Sequence, residues 1–162
     1  MGDFNGDGKM DRVVAEIGGV RIYYSGTTQS RKYDFSGSYA INGSYDTDGK
    51  PGDEIGIVKV GAFSVIHDAG HTVRNYPLSG SYAINGQYDT DGQPGLEIGV
   101  VQYGAFRIIN SRLNRVNEYR LDGNYAINGN YDTDGEAGVE IGVVQVGAFR
   151  ILNDRLNQTY SF

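Results

Sequence analysis

The chain has 162 residues, a formal net charge of −6 and no cysteine. Without cysteine there is no disulfide framework, thiolate metal site or cysteine nucleophile, and the acidic balance disfavours a nucleic-acid partner. No apolar run approaches the roughly 18 residues that a membrane-spanning helix requires, so we expect no membrane insertion.

The N-terminus carries no signal-peptide pattern. Met1 leads almost directly into an acidic segment, with neither a basic region nor an apolar region before it. Because the chain opens inside a motif, we expect the natural protein to begin further upstream.

The first candidate element is the acidic loop at residues 3–11, Asp-Phe-Asn-Gly-Asp-Gly-Lys-Met-Asp. Side-chain oxygens stand at its first, third, fifth and ninth positions, and a glycine at the sixth permits a tight turn. Six to eight oxygens surround a calcium ion in proteins, and a main-chain carbonyl at the seventh position can join them. The spacing predicts a Ca²⁺ site made by Asp3, Asn5, Asp7, the carbonyl of Lys9, and Asp11. A β-type run follows the loop, which disfavours an EF-hand.

The rest of the chain repeats with a constant period. The segment Tyr-Asp-Thr-Asp-Gly begins at Tyr45, Tyr88 and Tyr131, a spacing of 43 residues each time. Similar segments extend through each whole unit, which indicates one repeat domain over residues 1–162. The last unit lacks the residues matching 120–129, and an incomplete unit exposes a strand edge that a second copy could pair with. The predicted units are 3–43, 44–86, 87–129 and 130–162.

The first unit is more divergent than the others. Placing Gly18 on Gly104 sets Asp11 on Glu97 and Asp7 on Asp91, so the later loops carry two extra residues. In this alignment the closing acid of each later loop is a glutamate, and Asp3 has no acidic counterpart; it falls on Ser44, Gln87 and Asn130.

Each unit has the pattern of short β-strands. In the third unit the candidate strands are 97–103, 105–110, 116–121 and 125–127, rich in β-branched and aromatic residues and separated by Gly, Asn and Asp. No segment has a helical period. We therefore predict an all-β, propeller-like array of four blade units. The alternative is a closed β-trefoil-like or β-prism-like fold, although about four units fit three trefoil lobes poorly.

The first loop and the strand after it resemble a known family. Residues 2–14, Gly-Asp-Phe-Asn-Gly-Asp-Gly-Lys-Met-Asp-Arg-Val-Val, look like the calcium loop of FG-GAP/VCBS-type repeats. Such repeats build integrin-like β-propellers in extracellular proteins. The resemblance covers all four units and implies Ca²⁺ ligands at Asp3, Asn5, Asp7 and Asp11, and at the matching acids of the later loops. Those acids are Asp46 and Asp48, Asp89 and Asp91, and Asp132 and Asp134, to which our alignment adds Glu54, Glu97 and Glu140. The alternative is that all four loops are solvated Asp-Gly turns.

The remaining polar residues do not suggest catalysis. His67 and His71 are expected to be exposed turn residues, because their counterparts are Asn110 and Asn114. No nucleophile motif is present, and near-equivalent loops are a poor source of two unlike acids, so we predict no enzyme activity. The recurring Tyr39, Tyr82 and Tyr125 are expected to pack between units.

The sequence therefore favours a non-catalytic, calcium-stabilised binding module that recognises a glycan or protein on a secreted or surface protein. Two alternatives stay open: a structural accessory domain of a larger extracellular enzyme, and an engineered or fragmentary repeat scaffold that assembles into a complete ring as a homo-oligomer.

Overall fold

The computed structural model describes residues 1–162 and contains strands only, which confirms the all-β prediction. Strand pairs follow the apolar alternation of the sequence and are joined by short turns. The strands are β1 (Arg12–Glu16), β2 (Gly19–Tyr23), β3 (Ser30–Asp34), β4 (Tyr39–Tyr45), β5 (Glu54–Lys59), β6 (Ala62–His67), β7 (Thr72–Pro77), β8 (Tyr82–Tyr88), β9 (Glu97–Gln102), β10 (Ala105–Asn110), β11 (Arg115–Arg120), β12 (Tyr125–Tyr131), β13 (Glu140–Gln145), β14 (Ala148–Asn153) and β15 (Gln158–Ser161).

The strands form four separate antiparallel sheets, one for each sequence repeat. Sheet 1 has the order β1-β2-β3, sheet 2 β4-β5-β6-β7, sheet 3 β8-β9-β10-β11 and sheet 4 β12-β13-β14-β15. Each strand pairs with the next one along the chain, so each sheet is a simple meander and none closes into a barrel. The predicted all-β repeat array is confirmed.

The chain divides into two compact units, each containing two sheets. Unit A, Met1–Gly80, holds sheets 1 and 2, and unit B, Ser81–Phe162, holds sheets 3 and 4.

The sheets begin at a different point from the predicted repeat boundaries. The segment Tyr-Ala-Ile-Asn-Gly, assigned to the end of one unit, is the first strand of the next sheet, where Tyr39 pairs with Lys59 and Tyr125 with Gln145. Sheet 4 is therefore complete with four strands, and the short sheet is sheet 1. Its outer strand is represented only by the bridge between Gly2 and Asp11.

Each unit has its own apolar core between its two sheets. Alternate residues of the inner strands point into it, as the pattern of branched and aromatic residues requires. The core of unit A includes Phe4, Val20, Ile22, Ile55, Ile57 and Ile66, and that of unit B includes Phe106, Ile108, Tyr119, Ile141, Val143 and Leu152.

Two of the recurring tyrosines connect neighbouring sheets, as predicted. The Tyr39 hydroxyl of sheet 2 donates to the carbonyl of Gly19 in sheet 1 at 2.6 Å. The Tyr125 hydroxyl of sheet 4 donates to the carbonyl of Gln102 in sheet 3 at 3.0 Å. These hydroxyls satisfy strand-end carbonyls of the adjacent sheet within each compact unit.

Candidate metal centres in the acidic loops

Each of the four acidic loops contains an equivalent hydrogen bond, which shows how the four loop sequences align. In each, the acid that closes the loop accepts the backbone N–H of the residue seven positions earlier, at 2.6 to 3.1 Å. The pairs, acid first, are Asp11 with Phe4, Glu54 with Thr47, Glu97 with Thr90, and Glu140 with Thr133.

This common spacing corrects the sequence alignment of the first loop. Strand register agrees with it, because Gly2 pairs with Asp11 as Tyr45 pairs with Glu54. Asp3 is therefore the counterpart of Asp46, and the later loops contain no two-residue insertion. The error came from superposing Asp7-Gly8 on the Asp-Gly pairs of the later loops, whose true counterpart is Asn5-Gly6.

The first loop satisfies its side-chain oxygens with its own backbone. Asp3 accepts N–H groups from Asp7 at 3.0 Å and Gly8 at 2.8 Å, and Asn5 also accepts from Asp7. Asp7 in turn accepts the N–H of Lys9 at 2.9 Å. Four of the predicted calcium positions thus form a self-capped turn.

Asp11, the fifth predicted ligand of that loop, is a buried structural acceptor. It is 0% exposed. Its Oδ2 accepts the N–H of Phe4 at 3.1 Å, and its Oδ1 accepts the N–H of Ser25 at 2.8 Å. Both oxygens therefore tie the loop to the strands behind it.

The groups that could hold a cation lie in the three later loops. In each group, one ligand atom from every residue lies within 4.8 Å of the others. Two groups consist of predicted residues, whereas in the second loop a histidine stands in place of Asp46. The groups are Asp48, Glu54 and His67; Asp89, Asp91 and Glu97; and Asp132, Asp134 and Glu140.

In the third loop, neutral and cationic side chains of the protein already contact the acids. The amide nitrogen of Asn110 donates to Glu97 at 2.9 Å and to Asp91 at 3.1 Å. The guanidinium of Arg112 donates to Asp91 at 2.8 Å. Asn110, the last residue of β10, and Arg112 therefore hold Asp91 and Glu97 in place.

The fourth loop repeats this arrangement. Asn153 donates to Asp134 and to Glu140, each at 3.1 Å, and Arg155 donates to Asp134 at 3.0 Å. The backbone N–H of Glu136 is the main cause that holds the pKa of Asp134 below its usual range, with Arg155 adding to it.

The second loop differs from the other two at both of these positions. His67 stands where the others have Asn110 and Asn153, and Ala69 stands where they have Arg112 and Arg155. His67 is 8% exposed, so the prediction of an exposed turn residue is wrong for it. Strand alternation gives no signal for this burial, because the last five residues of β6 are all buried.

His71 does occupy an exposed turn. Its φ is 55°, and its counterparts Asn114 and Asn157 have φ values of 52° and 53°. Asn and His are among the residues other than Gly that most readily adopt this left-handed conformation, and so the three positions are equivalent turn residues.

Burial perturbs the pKa of one acid in the third loop. Burial raises the pKa of Glu97, against the lowering effect of the hydrogen bond from the Thr90 N–H. A cation placed beside Glu97 would favour its ionised form.

Within each unit, the acidic loop of one sheet is joined to that of its neighbour. The N–H of Asp53 donates to the carbonyl of Asp3 at 2.6 Å, and the N–H of Val139 donates to the carbonyl of Asp89 at 2.7 Å. Gly138, with φ of 102°, lies so close that a Cβ there would sit 2.7 Å from the Thr90 carbonyl oxygen. The acidic side chains therefore lie around the backbone hydrogen bond that joins the loops of two neighbouring sheets, which we call the joint between these sheets.

Two buried aspartates that the sequence analysis missed also connect the sheets. Asp68, after β6, accepts the hydroxyls of Tyr33 at 2.6 Å and Tyr24 at 2.8 Å. Asp154, after β14, accepts the hydroxyl of Tyr119 at 2.6 Å. Their equivalents in the first and third repeats are Ser25 and Ser111, so the aspartates do not recur in every repeat and the repeat pattern does not mark them.

No family model, curated protein or solved structure matches this chain. The structure has no helix of the length and apolarity needed to cross a membrane.

Proposed function

We propose that the chain is a non-catalytic β-repeat binding module of a secreted or surface protein, with Ca²⁺-binding acidic loops that stiffen the joints between sheets. The observation that carries this proposal is the position of the acids. Asp89, Asp91 and Glu97 converge at the loop whose backbone is bonded to the loop of the next sheet. A cation held there would strengthen a joint.

The third and fourth loops offer the chemistry that Ca²⁺ prefers. Their groups consist of carboxylates only, and a hard divalent cation favours oxygen ligands, with amide oxygens able to complete the shell. Asn110 and Asn153 could contribute such oxygens after rotation of the amide. To bind a cation, Asp91 would have to be released by Arg112, and Asp134 by Arg155. The arginine side chains of both ion pairs are partly exposed.

The binding role is supported by an apolar residue that recurs at one hairpin tip of every sheet. Ile17, Val60, Tyr103 and Val146 each precede the turn glycine, and they are between 85% and 101% exposed. Exposed apolar side chains contribute nothing to the core, so these recurring residues are available for contact with a protein or glycan partner.

The calcium proposal is tested by thermal unfolding with Ca²⁺ and with chelator at matched ionic strength. A ligand that binds only the folded state stabilises it by about 2.7 kcal/mol per site at a hundredfold its dissociation constant. For a chain of this size each kcal/mol corresponds to roughly 2–4 °C in Tm. The double variant Asp91→Asn, Asp134→Asn should lose the response.

Asp34→Asn is the matched control, because Asp34 is an exposed acid outside the loops. It should leave the response to Ca²⁺ unchanged. Identical Tm values for the wild type in Ca²⁺ and in chelator would show that the loops are structural turns.

Recognition is tested separately on a glycan array and against purified extracellular-matrix proteins. The variant in which all four hairpin-tip residues are serine should keep the wild-type Tm and lose binding. A wild-type chain that binds nothing in either screen would contradict the binding role.

The second candidate function is a structural accessory domain or scaffold without a cation. The contacts of Arg112 and Arg155 favour it, because these residues already neutralise the loop acids. An unchanged Tm in Ca²⁺, together with no binding in the recognition screens, would favour this candidate.

A further inference from the structure

One face of sheet 4 carries a continuous group of apolar side chains. Val144 of β13 is paired with Phe149 of β14, and Phe149 exchanges backbone hydrogen bonds with Phe162 at 3.3 and 2.9 Å. Ile151 and Tyr160 form the next pair on the same face, because residues two apart in a strand point the same way. This face, which we call the outer face of sheet 4, consists of Tyr131, Val144, Phe149, Ile151, Tyr160 and Phe162.

The corresponding face of sheet 3 is buried, whereas the outer face of sheet 4 is open to solvent. In sheet 3, Tyr88 and Tyr119 are 8% and 5% exposed, and they share one core cluster with residues of sheet 4. Their counterparts in sheet 4, Tyr131 and Phe162, are 36% and 80% exposed. The outer face of sheet 4 therefore has the composition of a face that another sheet covers.

The outer face of sheet 4 suits an uncharged partner. On sheet 3, the Tyr119 hydroxyl and the Asn117 amide donate to the buried carboxylate of Asp154 at 2.6 and 2.7 Å. Phe162, at the position of Tyr119, has no donor to offer. None of the six side chains of this face is charged, so a covering sheet that carried a buried carboxylate would be poorly matched.

The side of sheet 1 that points away from the core of unit A is charged instead. Arg12 and Glu16 lie on that side of β1, and Arg21 lies beside them on β2 and bonds to Glu16 at 2.9 Å. A second copy that presented sheet 1 would place these charges against aromatic rings, which is unfavourable because charges lose their hydration there. A second copy that presents its own outer face of sheet 4 brings only apolar side chains.

We propose that the outer face of sheet 4 binds the same face of a second copy of this chain, giving a symmetric homodimer. A two-fold contact uses the same patch on both copies, and stacked sheets pack about 10 Å apart. Four strands about 4.8 Å apart, each roughly six residues long, make a face of about 20 by 20 Å. This area is below that of a standard interface, so we expect a dissociation constant of about 10–100 µM.

The test is sedimentation equilibrium of the full chain over a range of about 1–500 µM, which brackets the expected dissociation constant. The buffer contains chelator, so the result does not depend on the proposed calcium sites. We expect the mass to rise with concentration from that of one chain to that of two chains and no further.

The disrupting variant combines Tyr160→Asn with Phe162→Ser. Tyr160→Asn introduces the residue that sheet 3 has at this position, Asn117, and both replaced side chains are exposed, so we expect a wild-type circular dichroism spectrum. Truncation of aromatic anchors in an interface weakens binding strongly, and the dissociation constant should rise at least about tenfold.

Two controls keep the dissociation constant within about twofold of the wild type. Leu113→Ser removes apolar surface of a residue that is 50% exposed in a turn of sheet 3, and Arg12→Ser changes the charged side of sheet 1. Four outcomes would overturn the proposal: a single-chain mass at every concentration, assemblies larger than two chains, a dimer that survives the double variant, or a dimer weakened by either control. Loss of the dimer with Arg12→Ser would identify sheet 1 as the covering surface. None of these outcomes bears on the Tm response to Ca²⁺.

Discussion

Replacing Asp154 by alanine should destabilise unit B, because this carboxylate connects its two sheets. Asp154 is 2% exposed and follows β14 of sheet 4. It accepts hydrogen bonds from Tyr119 at 2.6 Å, Asn117 at 2.7 Å and Thr90 at 3.0 Å, all of which belong to sheet 3 or its acidic loop. The substitution removes all three bonds at once.

The expected loss of stability follows from the hydrogen-bond donors that the substitution leaves without Asp154. A hydrogen bond to a charged group contributes about 1.5–3 kcal/mol, and a buried donor left without a partner costs about 1–3 kcal/mol. The Tyr119 hydroxyl is buried and would be left without its acceptor, whereas the single Thr90 hydroxyl proton lies within reach of both Asp154 and Glu97 and would still have Glu97 as acceptor. We expect a loss of about 3–5 kcal/mol, the sum of the lost bonds to a charged acceptor and of one buried donor left without a partner.

The assay is urea unfolding followed by circular dichroism, with a double-mutant cycle between Asp154→Ala and Tyr119→Phe. The tyrosine variant alone should cost about 1.5–3 kcal/mol, and the two changes should be non-additive by about 1 kcal/mol or more. Asp122→Ala is the control, because Asp122 is exposed, and it should change stability by less than about 0.5 kcal/mol. Additive effects, or a loss below about 1 kcal/mol for Asp154→Ala, would refute the role of Asp154.

Two further predictions concern ring packing and pH. Gly99→Ala should cost about 1–3 kcal/mol in urea unfolding, because its Cβ would lie 2.9 Å from Phe106 Cζ and also overlap the ring of Tyr88; an unchanged midpoint would contradict the close packing. Burial, together with the neighbouring aspartates, raises the pKa of Tyr33 and of Tyr119. The folded state therefore keeps protons that the unfolded state releases above about pH 10, so stability is fully present below that pH and falls as the pH rises beyond it. Tyr119→Phe should flatten this fall, and an equally steep fall in the variant would show that other groups cause it.

The sequence was sufficient to predict the repeat, the all-β fold class and the position of the acidic loops. Alternating branched and aromatic residues report burial on one face of a strand, and this is a local property that a single sequence displays. The hydrogen bond between Glu97 and Thr90 also has a sequence signal, a constant spacing of seven residues in all four loops. Alignment on the Asp-Gly pairs obscured it.

The burial of His67 could not be predicted from local sequence patterns. A histidine four residues before another, at the end of a hairpin strand, suits exposed and buried positions equally. Its environment depends on the acids of a loop that lies more than ten residues earlier, and these approach it only after β5 and β6 have paired.

The sequence by itself determined that this protein is an array of similar β-units with an acidic loop in each, because period and alternation are written in neighbouring residues. Only the tertiary structure decided where each sheet begins and what each acid does. The segment that starts at Tyr39 pairs forward with β5, so the short sheet is the first one. In the structure the Asp11 carboxylate is buried and accepts backbone N–H groups, and the Asp154 carboxylate accepts a hydrogen bond from the neighbouring sheet. The physical reason is that a carboxylate has the same local preferences in a turn, a joint or a metal site. Its role depends on the donors that distant strands bring to it.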